Sequence, residues 1–327
     1  MTSAPLRLGT RGSQLALYQA NTVARLITEA GGPPCELVII KTSGDHLQER
    51  PLSEVGGKRL FVKEIEDALL QGSIDLAVHS SKDMPALLPE GLEIAGVLTR
   101  EDPRDAVVLP TSTHGGPHTI EELVAALGQS PSIGTASVRR VAMLTRLLPG
   151  ARFAPMRGNL DTRLRKLDEG AHAAIVLAAA GLRRLGFASR ISFTLPLSAC
   201  VPSPGQGIIA IEVRSGDERA AEAVRSITDA VAQQALDVER AVVDALGGGC
   251  QTPIGALATP VRDDQFELVA AVVSLDGSRM LRTVVHGARG EARALGERGA
   301  ADLLAQGAAE ILEEARRVQA QNERNSP

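Results

Sequence analysis

Ile74-Asp-Leu-Ala-Val-His-Ser-Ser-Lys-Asp-Met-Pro85 is the stretch that decides the fold. Residues 74–78 form a short apolar run and predict a buried strand. Its carboxyl end runs straight into the polar loop Ser80-Ser-Lys-Asp83. Upstream, Leu60, Phe61, Ile65 and Leu69 recur at helical spacing and Gly72 stops the helix. Downstream, residues 92–98 read as another strand. Further back, residues 6–10 are a strand and Ser13 caps a helix carrying Leu15, Leu17, Val23, Leu26 and Ile27. Residues 36–42 form a β-branched strand. Alternating strands and helices predict a parallel sheet covered by helices on both faces.

Beyond the polar turn Arg100-Glu-Asp-Pro-Arg-Asp105 a second such series begins. It has strands at 132–135, 152–156 and 173–178, and helices at 137–148 and 160–169. Pro202-Ser-Pro-Gly-Gln-Gly207 reads as a hinge-like break before a strand at 208–213. The last hundred residues lose the alternation. A helix at 231–246 ends at Gly247-Gly-Gly249, and Leu275-Asp-Gly-Ser278 is a hairpin turn between two apolar runs. Residues 300 to about 319 predict one long amphipathic helix. The class is therefore α/β, with a C-terminal α+β part.

The chain has 327 residues, enough for two or three domains. Hydrophobic residues at 44% and charged residues at 23% are globular values and exclude disorder or coiled coil. With no Trp, one Tyr and five Phe, the core is aliphatic. A net charge of −4 argues against general binding of nucleic acid or anionic membrane. The longest apolar run, residues 173–182, is about half a membrane span. The N-terminus lacks the apolar stretch of a secretory signal, so a cytoplasmic setting is expected. Cys35, Cys200 and Cys250 are odd in number and show no CxxC spacing, which argues against a disulfide framework or a metal site. Cys35 and Cys200 read as buried bystanders.

Against this acidic background, Arg139, Arg140, Arg146, Arg152, Arg157, Arg163, Arg165 and Lys166 face one acid, Asp161, within 28 residues. Guanidinium forks suit carboxylate and phosphate. Aromatic stacking residues are scarce, which favours a small polycarboxylate over nucleic acid. Four loops stand where α/β sheets bind ligands: Thr10-Arg11-Gly12-Ser13, Ser80-Ser-Lys82-Asp83, Gly134-Thr135-Ala136-Ser137, and Arg157-Gly158-Asn159. Arg139 and Arg140 are adjacent on a helix, so they are expected to face different ways. Asp83, the lone acid between Asp75 and Glu90, is either a turn cap or a carboxylate that moves protons or balances a cation. His79 reads as a packing residue at a strand end. Cys250 sits on a glycine loop after a helix C-terminus, where no dipole lowers a thiol's pKa.

Gly9-Thr-Arg-Gly-Ser13, Gly56-Gly-Lys-Arg-Leu-Phe61, Ala77-Val-His-Ser-Ser-Lys-Asp-Met-Pro85, Gly134-Thr-Ala-Ser-Val-Arg-Arg140, Pro204-Gly-Gln-Gly207 and Gly248-Gly-Cys-Gln-Thr-Pro-Ile-Gly255 occur in this order. Together they resemble the porphobilinogen deaminase (hydroxymethylbilane synthase) family along nearly the whole chain. Arg59, Ala136 and Ala174 depart from its usual pattern. The resemblance implies two doubly wound domains like type II periplasmic binding proteins, at 1–100 with 206–224 and at 104–202. It adds a third α+β domain with a small antiparallel sheet at 228–327. It implies four porphobilinogens condensed to hydroxymethylbilane on a dipyrromethane cofactor, attached by a thioether to Cys250, in a monomeric cytoplasmic enzyme of haem biosynthesis. Asp83 matches the catalytic carboxylate. Arg11, Ser13, Ser80, Lys82, Thr135, Ser137, Arg139, Arg140, Arg157, Arg163, Arg184 and Gln206 match cofactor- or substrate-binding positions, and Phe61 is placed to stack on a ring. Two other readings compete: a solute-binding protein for an organic anion, and a transferase using Cys250 as nucleophile.

Overall fold

A computed structural model describes residues 4–43, 62–113, 115–249, 252–262 and 264–324. The chain runs through β1 (Leu6–Thr10), α1 (Gln14–Glu29), β2 (Cys35–Ile39), α2 (Lys63–Leu70), β3 (Leu76–Ser80) and β4 (Leu92–Val97). It continues through β5 (Asp105–Val108), α3 (Ile120–Leu127), β6 (Ser132–Gly134), α4 (Val138–Leu147), β7 (Arg152–Ala154) and α5 (Leu160–Asp168). Next come β8 (Ala174–Ala178), α6 (Ala179–Arg184), β9 (Phe193–Thr194), β10 (Ile209–Arg214), α7 (Glu218–Arg225) and α8 (Ala230–Ala245). The last elements are β11 (Ile254–Arg262), β12 (Gln265–Val273), β13 (Met280–Ala288), α9 (Ala292–Ala305) and α10 (Ala308–Arg324).

These strands make three sheets, in the orders β2-β1-β3-β10-β4, β7-β6-β8-β5-β9 and β11-β12-β13. The expected parallel pairing holds for β1 with β2 and β3, and for β6 with β7 and β8. It fails at β10, which is antiparallel to β3 and β4, and at β5, which is antiparallel to β8 and β9. A helical crossover returns the chain parallel to its previous strand. Neither β5 nor β10 is reached that way, because each enters its sheet from the other α/β unit. The chain therefore crosses between the two units twice, through residues 98–104 and 195–208.

Local chemistry sets the element ends. Ser13 is extended and its Oγ accepts from Ala16 N, starting α1; Ser137 does the same for Arg140 N at α4. The hairpin forms as expected, with Val273 opposite Met280 and Gly277 at φ 72°. The single long C-terminal helix does not. Gly307 at φ 100° separates α9 from α10, a left-handed residue ending the first helix.

The core is split by periodicity. α1 lays Ala20, Val23 and Ile27 on Leu8, Leu76 and Val78, while α2 lays Ile65 and Leu69 on Ala77. In β12, Phe266, Leu268, Ala270 and Val272 pack under α8–α10. The alternate residues Val269, Ala271 and Val273 pack on Met143 and Leu144 of α4. One strand thus joins the third sheet to the second α/β unit. Cys200 is buried as expected, but Cys35 is only half-buried.

Candidate functional site

The loop after β3 turns through Ser81–Asp83 and meets the loop before α4 at a cavity. Lys82, Ser137, Arg139, Arg240, Gly249 and Thr252 all line it. Lys82 keeps partial solvent exposure, but its ammonium end is enclosed by protein, and its Nζ lies 3.5 Å from Gln206 Oε1. Burial pulls its pKa down to about 8, helped by Arg140 and Arg139 and opposed by Asp83 and Asp105.

Asp105, which starts β5, is fully buried and collects the two arginines expected to diverge. Arg139 Nη1 donates to Asp105 Oδ2 at 2.7 Å, and Arg140 Nε donates to Oδ1 at 2.9 Å. The expectation that these neighbours face apart is therefore wrong. Side chains this long bend from adjacent positions onto one carboxylate. Burial alone would raise the Asp105 pKa, but the two guanidiniums hold it far below the usual carboxylate range. Arg139 also donates to Val201 O at 2.6 Å, and Arg140 to Val176 O at 2.9 Å. Gln206 completes this node: its Nε2 donates to Asp105 Oδ1 at 2.9 Å and to Pro103 O at 2.6 Å.

The glycines around Gln206 fit the crossover. A Cβ on Gly205, at φ 72°, would meet Ser81 Oγ at 2.5 Å, and one on Gly207, at φ 88°, would strike Glu101 O. Both positions therefore require glycine.

Arg163 belongs to the same cationic group. Burial, then Arg140 and Arg157, lower its pKa to about 10, opposed by Asp83. Its Nε donates to Gly158 O at 2.8 Å. Thr135 is buried and accepts from Ser137 N at 3.3 Å. Arg11, Ser13, Ser80 and Asp83 share a second cavity with Gln19 and His79. Asp83 itself is exposed. Arg184 stands apart: it donates to Gly207 O at 2.6 Å and lines a wide groove with Tyr18 and Glu101. Phe61 and Cys250 lie outside the described residues. Asp105, Arg240 and Gln19 escaped the sequence reading. The signal for Asp105 was there, since two adjacent buried arginines need a buried counter-charge.

A family model described as "Porphobilinogen deaminase, dipyromethane cofactor binding domain" matches residues 6–222, and one described as "Porphobilinogen deaminase, C-terminal domain" matches residues 234–305. The chain belongs to the porphobilinogen deaminase family. A porphobilinogen deaminase of Syntrophobacter fumaroxidans is 45% identical over 315 residues, covering 96% of this chain and 99% of that one. One from Acidithiobacillus ferrooxidans is 46% identical over 312 residues, covering 95% and 98%. Among solved structures, the Bordetella pertussis BvgS VFT2 domain aligns at TM-score 0.40 and 15% identity, over 68% of this chain and 85% of that one. An ancestral cationic amino acid solute binding protein aligns at TM-score 0.43 and 13% identity, over 72% and 93%. Among the described residues, no helix is long and apolar enough to cross a membrane.

Proposed function

We propose that this chain condenses four porphobilinogens head to tail into hydroxymethylbilane, releasing ammonia, in tetrapyrrole biosynthesis. The primer is a dipyrromethane joined by a thioether to Cys250. The observation that carries this reading is the first cavity. Gly249 and Thr252, which flank residues 250 and 251 in the chain, line it together with Lys82 and Arg139. The residues fit a carboxylate-bearing group. Ser81 Oγ and Arg139 Nε are buried at this cavity with no hydrogen-bond partner among the described residues. Leaving such donors unmade is costly, and a carboxylate satisfies them.

When bound, the dipyrromethane supplies a pyrrole chain bearing acetates and propionates and ending in a nucleophilic ring carbon. Lys82, Ser81, Ser137 and Arg139 hold its carboxylates. Arg140, Arg157 and Arg163 add positive field, with Arg140 and Gln206 also fixing the crossover. Arg11, Ser13 and Ser80 bind the incoming substrate's acids in the second cavity, where Asp83 balances the cation left as ammonia departs. Thr135 orients Ser137. Arg184 acts from the groove at the crossover, and Phe61 stacks on a ring. Three domains, at 1–100 with 206–224, 104–202 and 228–327, fit the three sheets, and the chain works as a cytoplasmic monomer.

Intact mass tests this reading. The denatured protein should exceed its sequence mass by two linked pyrrole units, carried on the peptide containing Cys250, and Cys250→Ser should remove them. Asp83→Asn should keep the adduct and lose turnover by about 3 kcal/mol of barrier. A bare-sequence mass in a preparation that still consumes porphobilinogen refutes the assignment.

A further inference from the structure

The face of the first sheet beneath α2 holds ionisable groups that the reading above does not use. His79 on β3 and Glu212 on β10 are both buried, and His79 Nε2 lies 3.1 Å from Glu212 Oε2. The second oxygen, Glu212 Oε1, is buried with no hydrogen-bond partner among the described residues. His79, but not Glu212, also contributes to the wall of the cavity containing Asp83, Arg11 and Ser80.

We infer that His79, anchored by Glu212, receives the proton shed at this cavity each time a unit is added. The inference rests on the condensation reading above. As a methylene bridge forms, the C–N bond of the protonated aminomethyl group breaks with its electron pair going to nitrogen, releasing ammonia. A C–C bond forms from a pyrrole ring carbon. That carbon's C–H bond then breaks, its electron pair restores the aromatic ring, and a proton must be taken up. Asp83 balances a cation only while it is an anion, so a proton left on Asp83 would cancel the charge needed for the next unit. An imidazole donating Nε2–H to Glu212 keeps Nδ1 as an acceptor, and histidine changes charge near neutral pH. The proton then passes from His79 to the released ammonia, which becomes ammonium, so no further reactant is needed.

The charged and polar groups around His79 are few. Glu212 lies on β10. Buried Glu66 lies on α2, which covers this face through Ile65 and Leu69. Gln19 of α1, Arg11 beyond β1 and Asp83 line the shared cavity.

The test uses the full-chain enzyme with two variants, His79→Gln and Glu212→Gln, each checked by intact mass for the two-pyrrole adduct. His79→Gln should retain the adduct, lower kcat about 100-fold and lose the acid limb of its pH profile. Glu212→Gln keeps the base but removes its anionic partner, so kcat should fall with the adduct retained. Nitrogen NMR of the resting wild-type enzyme should show His79 as the Nε2–H tautomer, and Glu212→Gln should weaken that preference. Adduct-bearing variants with unchanged kcat and pH profile overturn the His79 role and leave the cofactor reading intact. Absence of the adduct from wild-type enzyme overturns the cofactor reading instead.

Discussion

Lys82 holds its proton less tightly than a surface lysine, and the sign of the effect is testable. Its pKa in the folded chain is about 8, below the ordinary lysine value, so it is a cation at neutral pH and turns neutral as pH rises through that value. A carboxylate partner is then lost on the basic side. In the holoenzyme a cofactor carboxylate beside Lys82 raises that value, so the basic limb of kcat/KM for porphobilinogen, which reports the free enzyme, should fall with a midpoint above about 8. Lys82→Arg, charged throughout, should remove that limb, and a limb unchanged in the variant would exclude Lys82 as its source. At this scale the sequence made the basic loops legible, because a cation in the first turn of a helix opposes the dipole and calls for an anion. It could not show which anion answers. Arg139 and Arg140 looked like ligand arms, and both also donate to Asp105. That acid sits 34 positions before Arg139, and only tertiary structure brings it near.

The elements followed local rules wherever local rules decide. Ser13 and Ser137 cap helices, Gly72 ends one, and Asp276-Gly277 turns a hairpin, all from chemistry within a few residues. Some misses, such as α3 and α7, are short helices with ordinary caps, and the others are elements whose partners are distant. β5 went unread because four residues carry little pattern, and the directions of β5 and β10 depend on a route through the other sheet. The break at Gly307 was hidden inside an apolar periodicity that continues on both sides. The glycine at 207 was visible, but its reason was not. It combines a positive φ with close approach of Glu101 O, so Gly207→Ala should cost about 1–3 kcal/mol. Gly290, at negative φ with open space around it, is the control, and Gly290→Ala should stay within about 0.5 kcal/mol. Urea midpoints of the two variants, measured side by side, decide it, and equal midpoints would sink the argument.

At the scale of the molecule, Glu239 ties the three parts together. It is fully buried on α8 and accepts from Arg100 Nη1 at 2.5 Å, Gly205 N at 2.7 Å and Ala258 N at 2.8 Å. Those donors lie on the outgoing crossover, the returning crossover and the third sheet. Removing one member of a buried pair leaves an uncompensated charge, which costs about 3–5 kcal/mol. Glu239→Ala should therefore lower the denaturation midpoint far more than Glu29→Ala, whose exposed pair with Arg25 is worth at most about 1 kcal/mol. Comparable losses in the two variants would show that the junction does not hold the parts together.

The double crossing also has a consequence for synthesis on the ribosome. The first sheet keeps a gap between β3 and β4 until β10 fills it, and β10 lies more than a hundred residues further along the chain. At ~5–20 residues per second, that gap stays open on the order of ten seconds. Two unpaired strand edges next to an aliphatic core stand exposed for that time, a template for pairing with other nascent chains. The N-terminal unit cannot mature as it emerges and must wait for the second unit to be made.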